Sequence, residues 1–165
     1  MKTVKLSARL RALANCINES TDKTKTIVDI GTDHGFLPVY LAQTEAVKSI
    51  IASDISSASL DSARKSAAEY NVTDAIKFIV TPGLENIQAH EAEILIIAGM
   101  GGETILGILS ETPWLKTQKT KLILQPQSKL DLLSRFLYDN EYKIDETTQV
   151  HDRGKKYTII KAHSL

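Results

Sequence analysis

The sequence predicts an α/β fold on a mostly parallel sheet, and three observations predict it. Short apolar runs of strand length alternate with segments of helical spacing along the chain. The runs close on residues suited to ligand turns: Asp29 and Gly31, Asp54, Pro82 and Gly83, Gly99, and Gln125. The last two runs follow each other directly, around Arg153-Gly154, and read as a hairpin.

The elements can be justified in order. Residues 4–17 form an amphipathic leading helix, with Leu6, Leu10, Leu13, Ala14 and Ile17 on one stripe and Lys5 and Arg9 off it. The polar stretch 18–25 reads as a loop. Thr26–Ile30 is the first strand and Phe36–Gln43 the following helix. Pro38 is tolerated because it falls in the first turn, where backbone donors lack intrahelical partners. Residues 48–53 form the second strand, closed by Asp54, and Ser56 caps a helix over 58–70 that ends at Asn71. Ile76–Val80 is the third strand; Pro82-Gly83 breaks it, and a short segment covers 84–89. Residues 94–98 are continuously apolar, as at a sheet centre. A turn at 99–102 leads into a helix over 104–109. The fifth strand, 121–124, ends at Gln125-Pro126-Gln127, and Ser128 caps a helix through Tyr138. Residues 142–150 and 155–162 complete the hairpin. Two successive closing strands depart from a plain doubly wound dinucleotide fold and are what a seven-stranded methyltransferase fold requires.

Length and composition suit a single domain over residues 1–165. Twenty basic and twenty acidic residues cancel, so no global field draws in a polyanion. The charges are uneven, however. Lys2, Lys5, Arg9 and Arg11 cluster near the start and Arg153, Lys155 and Lys156 near the end, either a local nucleic-acid footprint or solubilising surface charge. Cys16 is the single cysteine, which excludes an internal disulfide and a cysteine-rich metal site; it reads as a small buried hydrophobe. No metal site is expected. No run approaches a membrane span and no signal-peptide core is present, so a cytoplasmic protein with no membrane partner is expected.

In an open α/β sheet, ligands sit beyond the carboxyl ends of the strands, and the turn residues converge there. Gly31 and Gly35 let backbone approach a ligand. The turn reads Gly31-Thr32-Asp33-His34-Gly35, without the middle glycine that admits a pyrophosphate. Thr32, Asp33 and His34 instead suit a ligand with an amino-acid end, and Asp29, Asp33 or both can meet its ammonium. The bland alternative is that Asp33 and His34 only cap the helix. Asp54 lies 23 positions after Gly31, where a carboxylate accepts both ribose hydroxyls of a nucleoside; its alternative is an exposed acid favoured by the helix dipole. Ala98-Gly99-Met100-Gly101-Gly102 offers amides for a phosphate or room for a flat base. It lacks the Asn or Asp with Pro-Pro and an aromatic that is common in exocyclic adenine-amine methylation. Cys16 lies too early to be a pyrimidine-carbon nucleophile.

On these residues the chain resembles the bacterial tRNA (adenine-22-N1)-methyltransferase family. The matching pieces are Leu6-Ser-Ala-Arg-Leu10, Asp29-Ile-Gly-Thr-Asp-His-Gly-Phe-Leu-Pro38, Ile97-Ala-Gly-Met-Gly-Gly102, Leu122-Ile-Leu-Gln-Pro126 and Gly154-Lys-Lys-Tyr157. The resemblance implies a Rossmann-like class I methyltransferase fold: a mostly parallel seven-stranded sheet, a C-terminal antiparallel hairpin and an N-terminal helix. It implies S-adenosyl-L-methionine as cofactor, tRNA as partner and adenine N1 as acceptor. Asp29, Gly31, Thr32, Asp33, Gly35, Asp54, Ile55, Gly83, Leu84 and Ala98 would face the cofactor. Asp33, His34, Gly99, Met100 and Gly101 would stand at the reacting centre, and Arg9, Gly102 and Gln125 on the substrate side. Adenine N1 carries an in-plane lone pair, so alignment and exclusion of water would suffice without a strong general base.

Two departures from the family pattern stand out. Pro82 replaces the Asp or Asn that usually precedes Gly-Leu, leaving backbone groups and Leu84 to hold the cofactor adenine. The chain stops at Leu165, so a short form without the family's C-terminal helical domain is expected, a monomer or weak dimer with a possible RNA-gripping partner. The alternatives are methylation of another RNA site, a protein or a small molecule, or a non-catalytic module that binds cofactor or RNA. A nicotinamide oxidoreductase is opposed by the glycine spacing.

Overall fold

The structure, a computed structural model, describes residues 1–20 and 23–165. The strands are β1 (Thr26–Ile30), β2 (Ser49–Asp54), β3 (Ile76–Val80), β4 (Ile94–Met100), β5 (Lys121–Pro126), β6 (Tyr142–Asp152) and β7 (Lys155–Ser164). The helices are α1 (Ala8–Ser20), α2 (Phe36–Gln43), α3 (Ser57–Glu69), α4 (Gly102–Ser110), α5 (Trp114–Thr117) and α6 (Leu130–Asp139).

Side chains alternate across a strand, and the central strands are apolar on both faces. Ile27, Ile94 and Ile96 pack into one layer with Leu13 and Ile17 of α1 and Leu37 and Leu41 of α2. Val28, Leu95 and Ile97 pack into the other with Ile105 and Leu109 of α4 and Leu133 and Leu137 of α6. Burial on both faces is what a parallel sheet between helices requires.

Among the described residues the strands form one seven-stranded sheet in the order β3-β2-β1-β4-β5-β7-β6. β1 to β5 are parallel, β7 pairs antiparallel with β5, and β6 pairs antiparallel with β7. This is the expected sheet with its closing hairpin. Strand order reverses between β1 and β4, which opens a crevice at their carboxyl ends. No helix among the described residues is long and apolar enough to cross a membrane.

Several local expectations need correction. The leading helix starts at Ala8, not at residue 4. Ser7 ends the non-helical leading segment: its Oγ accepts from Leu10 N at 3.3 Å and its carbonyl from Arg11 N at 2.9 Å. Val4 is buried from that segment, its N–H donating to Gln43 Oε1 at 2.9 Å. The helix runs on to Ser20, into the expected loop, of which residues 21 and 22 lie outside the described ones. β2 and α3 are each displaced by one residue from expectation. Ser56 caps α3 as expected, accepting from Ser59 N at 3.2 Å.

β4 continues to Met100 through an irregularity after Ala98, and α4 begins at Gly102. Ser128 does not cap α6; Lys129 holds that place at φ 55° with no side-chain cap, because the Ser128 carbonyl turns to accept from Gly102 N at 2.9 Å. Helix α5 is a single turn after Pro113, too short to show periodicity.

Candidate functional site at the carboxyl ends of β1 and β4

β1 delivers Asp29 buried at the crevice. Gly31 then turns at φ 71°, and Gly31 N and Thr32 N both donate to Ser53 O of β2, at 2.9 and 3.0 Å. Thr32 Oγ1 donates to Asp29 Oδ2 at 2.9 Å. Burial pushes the Asp29 carboxyl up to about 7; Thr32 and the Arg9 guanidinium pull it down, and Asp54 adds to the rise.

Asp33 sits at φ 54° and Gly35 at φ 72°. A Cβ on Gly35 would stand 2.7 Å from Ala63 Cβ, so this glycine exists to let α2 approach α3. Gly35 is also the N-cap of α2, with no side-chain cap bond. The capping alternative for Asp33 and His34 therefore fails. Both side chains stay exposed, 3.9 Å apart, and the His34 ring stacks with Phe36 at 5.7 Å between centroids.

β2 delivers Asp54. Its Oδ1 accepts from Ser56 N at 2.9 Å and its Oδ2 from Asp33 N at 3.4 Å, so backbone donors orient both oxygens. Ile55 beside it is exposed, and so is Val80 at the end of β3.

β4 delivers the glycine loop, and its glycines answer to different demands. Gly99 adopts φ 74°. Its N–H donates to Gln125 Oε1 at 3.0 Å, the same oxygen that accepts from Arg9 Nη1 at 3.1 Å. Gly101 caps α4 through its backbone. A Cβ on Gly102 would lie 2.6 Å from both the Ser128 and Lys129 carbonyl oxygens. The Met100 side chain reaches back over Gly31, its methyl carbon 2.3 Å from where a Gly31 Cβ would be.

A cavity of about 390 Å³ opens here, lined by Arg9, Asp29, Gly31, Thr32, Asp33, His34 and Ala98 among the expected residues. Asp54 and Met100 border it through Asp33 and Gly31. Three expectations are corrected. Gln125 is fully buried and its oxygen is shared by Gly99 and Arg9, so it positions the loop and faces no substrate. Gly102 is buried with its N–H on Ser128 O, and Gly99 N is held by Gln125, so these two amides form no phosphate cradle. Leu84 is buried in the core, and with Gly83 it lines a separate cavity of about 220 Å³ beside Ile108 and Trp114.

Sequence reasoning missed several wall residues. Lys5, Phe36, Asp152, Arg153 and Tyr157 also line the main cavity. Asp152 Oδ2 accepts from Arg9 N at 3.1 Å, and the Arg9 guanidinium lies over the Tyr157 ring at 5.8 Å. Only the clustering of charge at the two chain ends hinted at this meeting. Chemically, the site offers a carboxylate at Asp54 with both oxygens oriented, carboxyl groups at Asp29 and Asp33, and a guanidinium at Arg9. It suits a nucleoside with a charged amino-acid end.

A family profile described as a methyltransferase domain matches residues 6–160. The tRNA (adenine(22)-N(1))-methyltransferase of Bacillus subtilis is 31% identical over 164 residues, which is 99% of this chain and 67% of that protein. The solved structure of the Bacillus subtilis M1A22 tRNA methyltransferase has a TM-score of 0.87 at 30% identity, covering 98% of this chain and 68% of that chain. Streptococcus pneumoniae Sp1610 in complex with S-adenosyl-L-methionine has a TM-score of 0.88 at 28% identity, covering 97% of this chain and 73% of that chain.

Proposed function

Because the chain belongs to the tRNA (adenine-22-N1)-methyltransferase family, we propose that it transfers a methyl group from S-adenosyl-L-methionine to N1 of an adenine in tRNA, at position 22. The observation that carries the reading is the convergence at one crevice of Asp29, the Gly31 turn and Asp54, bordered by the glycine loop of β4.

The residues present fit the cofactor. Both Asp54 oxygens are oriented by backbone donors and keep lone pairs for two ribose hydroxyls. Ile55 and Val80 supply exposed apolar surface at the same strand ends for a flat base, in the place where Pro82 offers no side-chain donor. Asp29 and Asp33 match an ammonium, and Arg9 matches a carboxylate. When bound, the cofactor supplies an electrophilic methyl group on a sulfonium.

Adenine N1 carries its own lone pair, so the chain needs no nucleophile. Its residues align and dry the centre. Gln125 fixes the path of Gly99 and the direction of Arg9. Met100 covers Gly31. His34 and Phe36 present stacked rings at the wall, against which an extruded base can lie. A cytoplasmic location accords with this substrate.

The test is methyl transfer from labelled cofactor to bulk tRNA, set against protein and small-molecule acceptors. The reading expects label in tRNA alone; label in another acceptor, or cofactor binding with no transfer, would overturn it.

A further inference from the structure

An adenine N1 lies on the edge used in base pairing, so the target base must leave its stack to reach a recessed site. The strand on either side of that base then runs over the mouth of the cavity. The chain is neutral overall and offers RNA no long-range pull, so the attraction must be local.

The two basic ends of the sequence meet at that mouth. Lys5 and Arg153 line the same cavity from different segments. The bond from Arg9 N to Asp152 Oδ2 at 3.1 Å joins those segments across 143 positions. Arg153 and Gly154 make the tip of the β6–β7 hairpin at φ 51° and 75°, a tight two-residue turn that holds the tip in place. Arg153, Lys155 and Lys156 are exposed on it, and Lys5 is exposed opposite. Among the described residues, none of these four makes an ion pair within 4.0 Å. Three cations elsewhere are neutralised: Lys25 pairs with Glu93, Lys77 with Glu91 and Lys161 with Glu146.

We propose that Lys5 on one lip and the Arg153 hairpin tip on the other form a two-sided clamp for the RNA phosphates flanking the target adenine. The clamp rests on the tRNA reading above. It leaves cofactor binding to Asp29, Asp33 and Asp54 and gives the basic ends a separate role.

The experiment measures tRNA affinity of the full chain at several salt concentrations for wild type, Lys5→Glu, Arg153→Glu and the double variant. Lys5→Gln and Arg153→Gln repeat the test without charge reversal, and cofactor affinity is measured on every protein. Lys48→Glu, exposed at the amino end of β2, is the control. The double variant is expected to bind tRNA at least tenfold more weakly, with a salt slope shallower by about one to two, at unchanged cofactor affinity. Wild-type affinity and slope in the Lys5 and Arg153 variants would overturn the clamp, as would an equal loss in Lys48→Glu. Wild-type protein that binds tRNA through these residues but methylates none of it would overturn the catalytic reading and support the clamp.

Discussion

Gln125 holds the backbone of Gly99: its buried Oε1 accepts from Gly99 N at 3.0 Å, at the irregularity of β4 between Ala98 and Met100. The same oxygen takes Arg9 Nη1, and Gln125 Nε2 donates to the Pro126 carbonyl at 3.1 Å. One amide thus joins β4, β5 and α1 beneath the site. Gln125→Ala strands donors in a buried place and should cost about 1–3 kcal/mol of stability. Thermal unfolding should show a Tm lower by about 2–4 °C per kcal/mol. Turnover should fall more than cofactor affinity; an unaltered Tm and turnover would contradict the role.

Asp54 is the proposed ribose partner. Asp54→Ala should weaken cofactor binding at least tenfold, on the order of 1.4 kcal/mol or more. Asp33→Ala should lower cofactor affinity or turnover by a similar factor. Calorimetric titration gives the affinities directly, and wild-type values in Asp54→Ala would remove it from the site.

Asp29 carries a pH signature. Its carboxyl is raised to about 7 mainly by burial, so the folded state holds the proton where the unfolded state has lost it. Stability from this group is present below about pH 4 and is lost as pH rises to about 7, on the order of 4 kcal/mol in total. Asp29→Asn should flatten that decline in urea unfolding measured from pH 4 to 8. A cation seated on Asp29 favours its charged form, so cofactor affinity should rise toward pH 7 and level off above it. The Asn variant should bind weakly at every pH.

Gly102 is a packing glycine. A methyl there meets two backbone carbonyl oxygens at 2.6 Å, which cannot swing aside as a side chain can. Gly102→Ala should destabilise by about 1–3 kcal/mol through overpacking. Gly107→Ala, with open space where its Cβ would stand, should raise or preserve stability in the same unfolding assay.

The central strands were legible because burial on both faces leaves apolar runs, and Thr26–Ile30 and the edge strand Ile76–Val80 match residue for residue. The start of α1 was not, because Leu6 continues the helical spacing of Leu10, Leu13 and Ile17 while the chain before Ala8 is not helical, with Val4 N–H bonded to Gln43. In the site, Gly31, Asp33 and Asp54 were readable since a local turn and one strand pairing bring them together. Gln125 and Gly102 were readable as unusual but not as to their job. Their partners are the distant Arg9 and a carbonyl before α6. Asp152, Arg153 and Tyr157 reach the cavity only once the hairpin folds back beside α1, a contact 143 positions long that no local pattern encodes.

The central claim is methylation of one ring nitrogen at one tRNA position. The direct measurement uses two transcripts of the same tRNA, one with adenine at position 22 and one with guanine there, with labelled S-adenosyl-L-methionine and nucleoside analysis of the product. The account predicts N1-methyladenosine from the first transcript and no incorporation into the second. Equal labelling of both, or cofactor bound with no label in either, would contradict it.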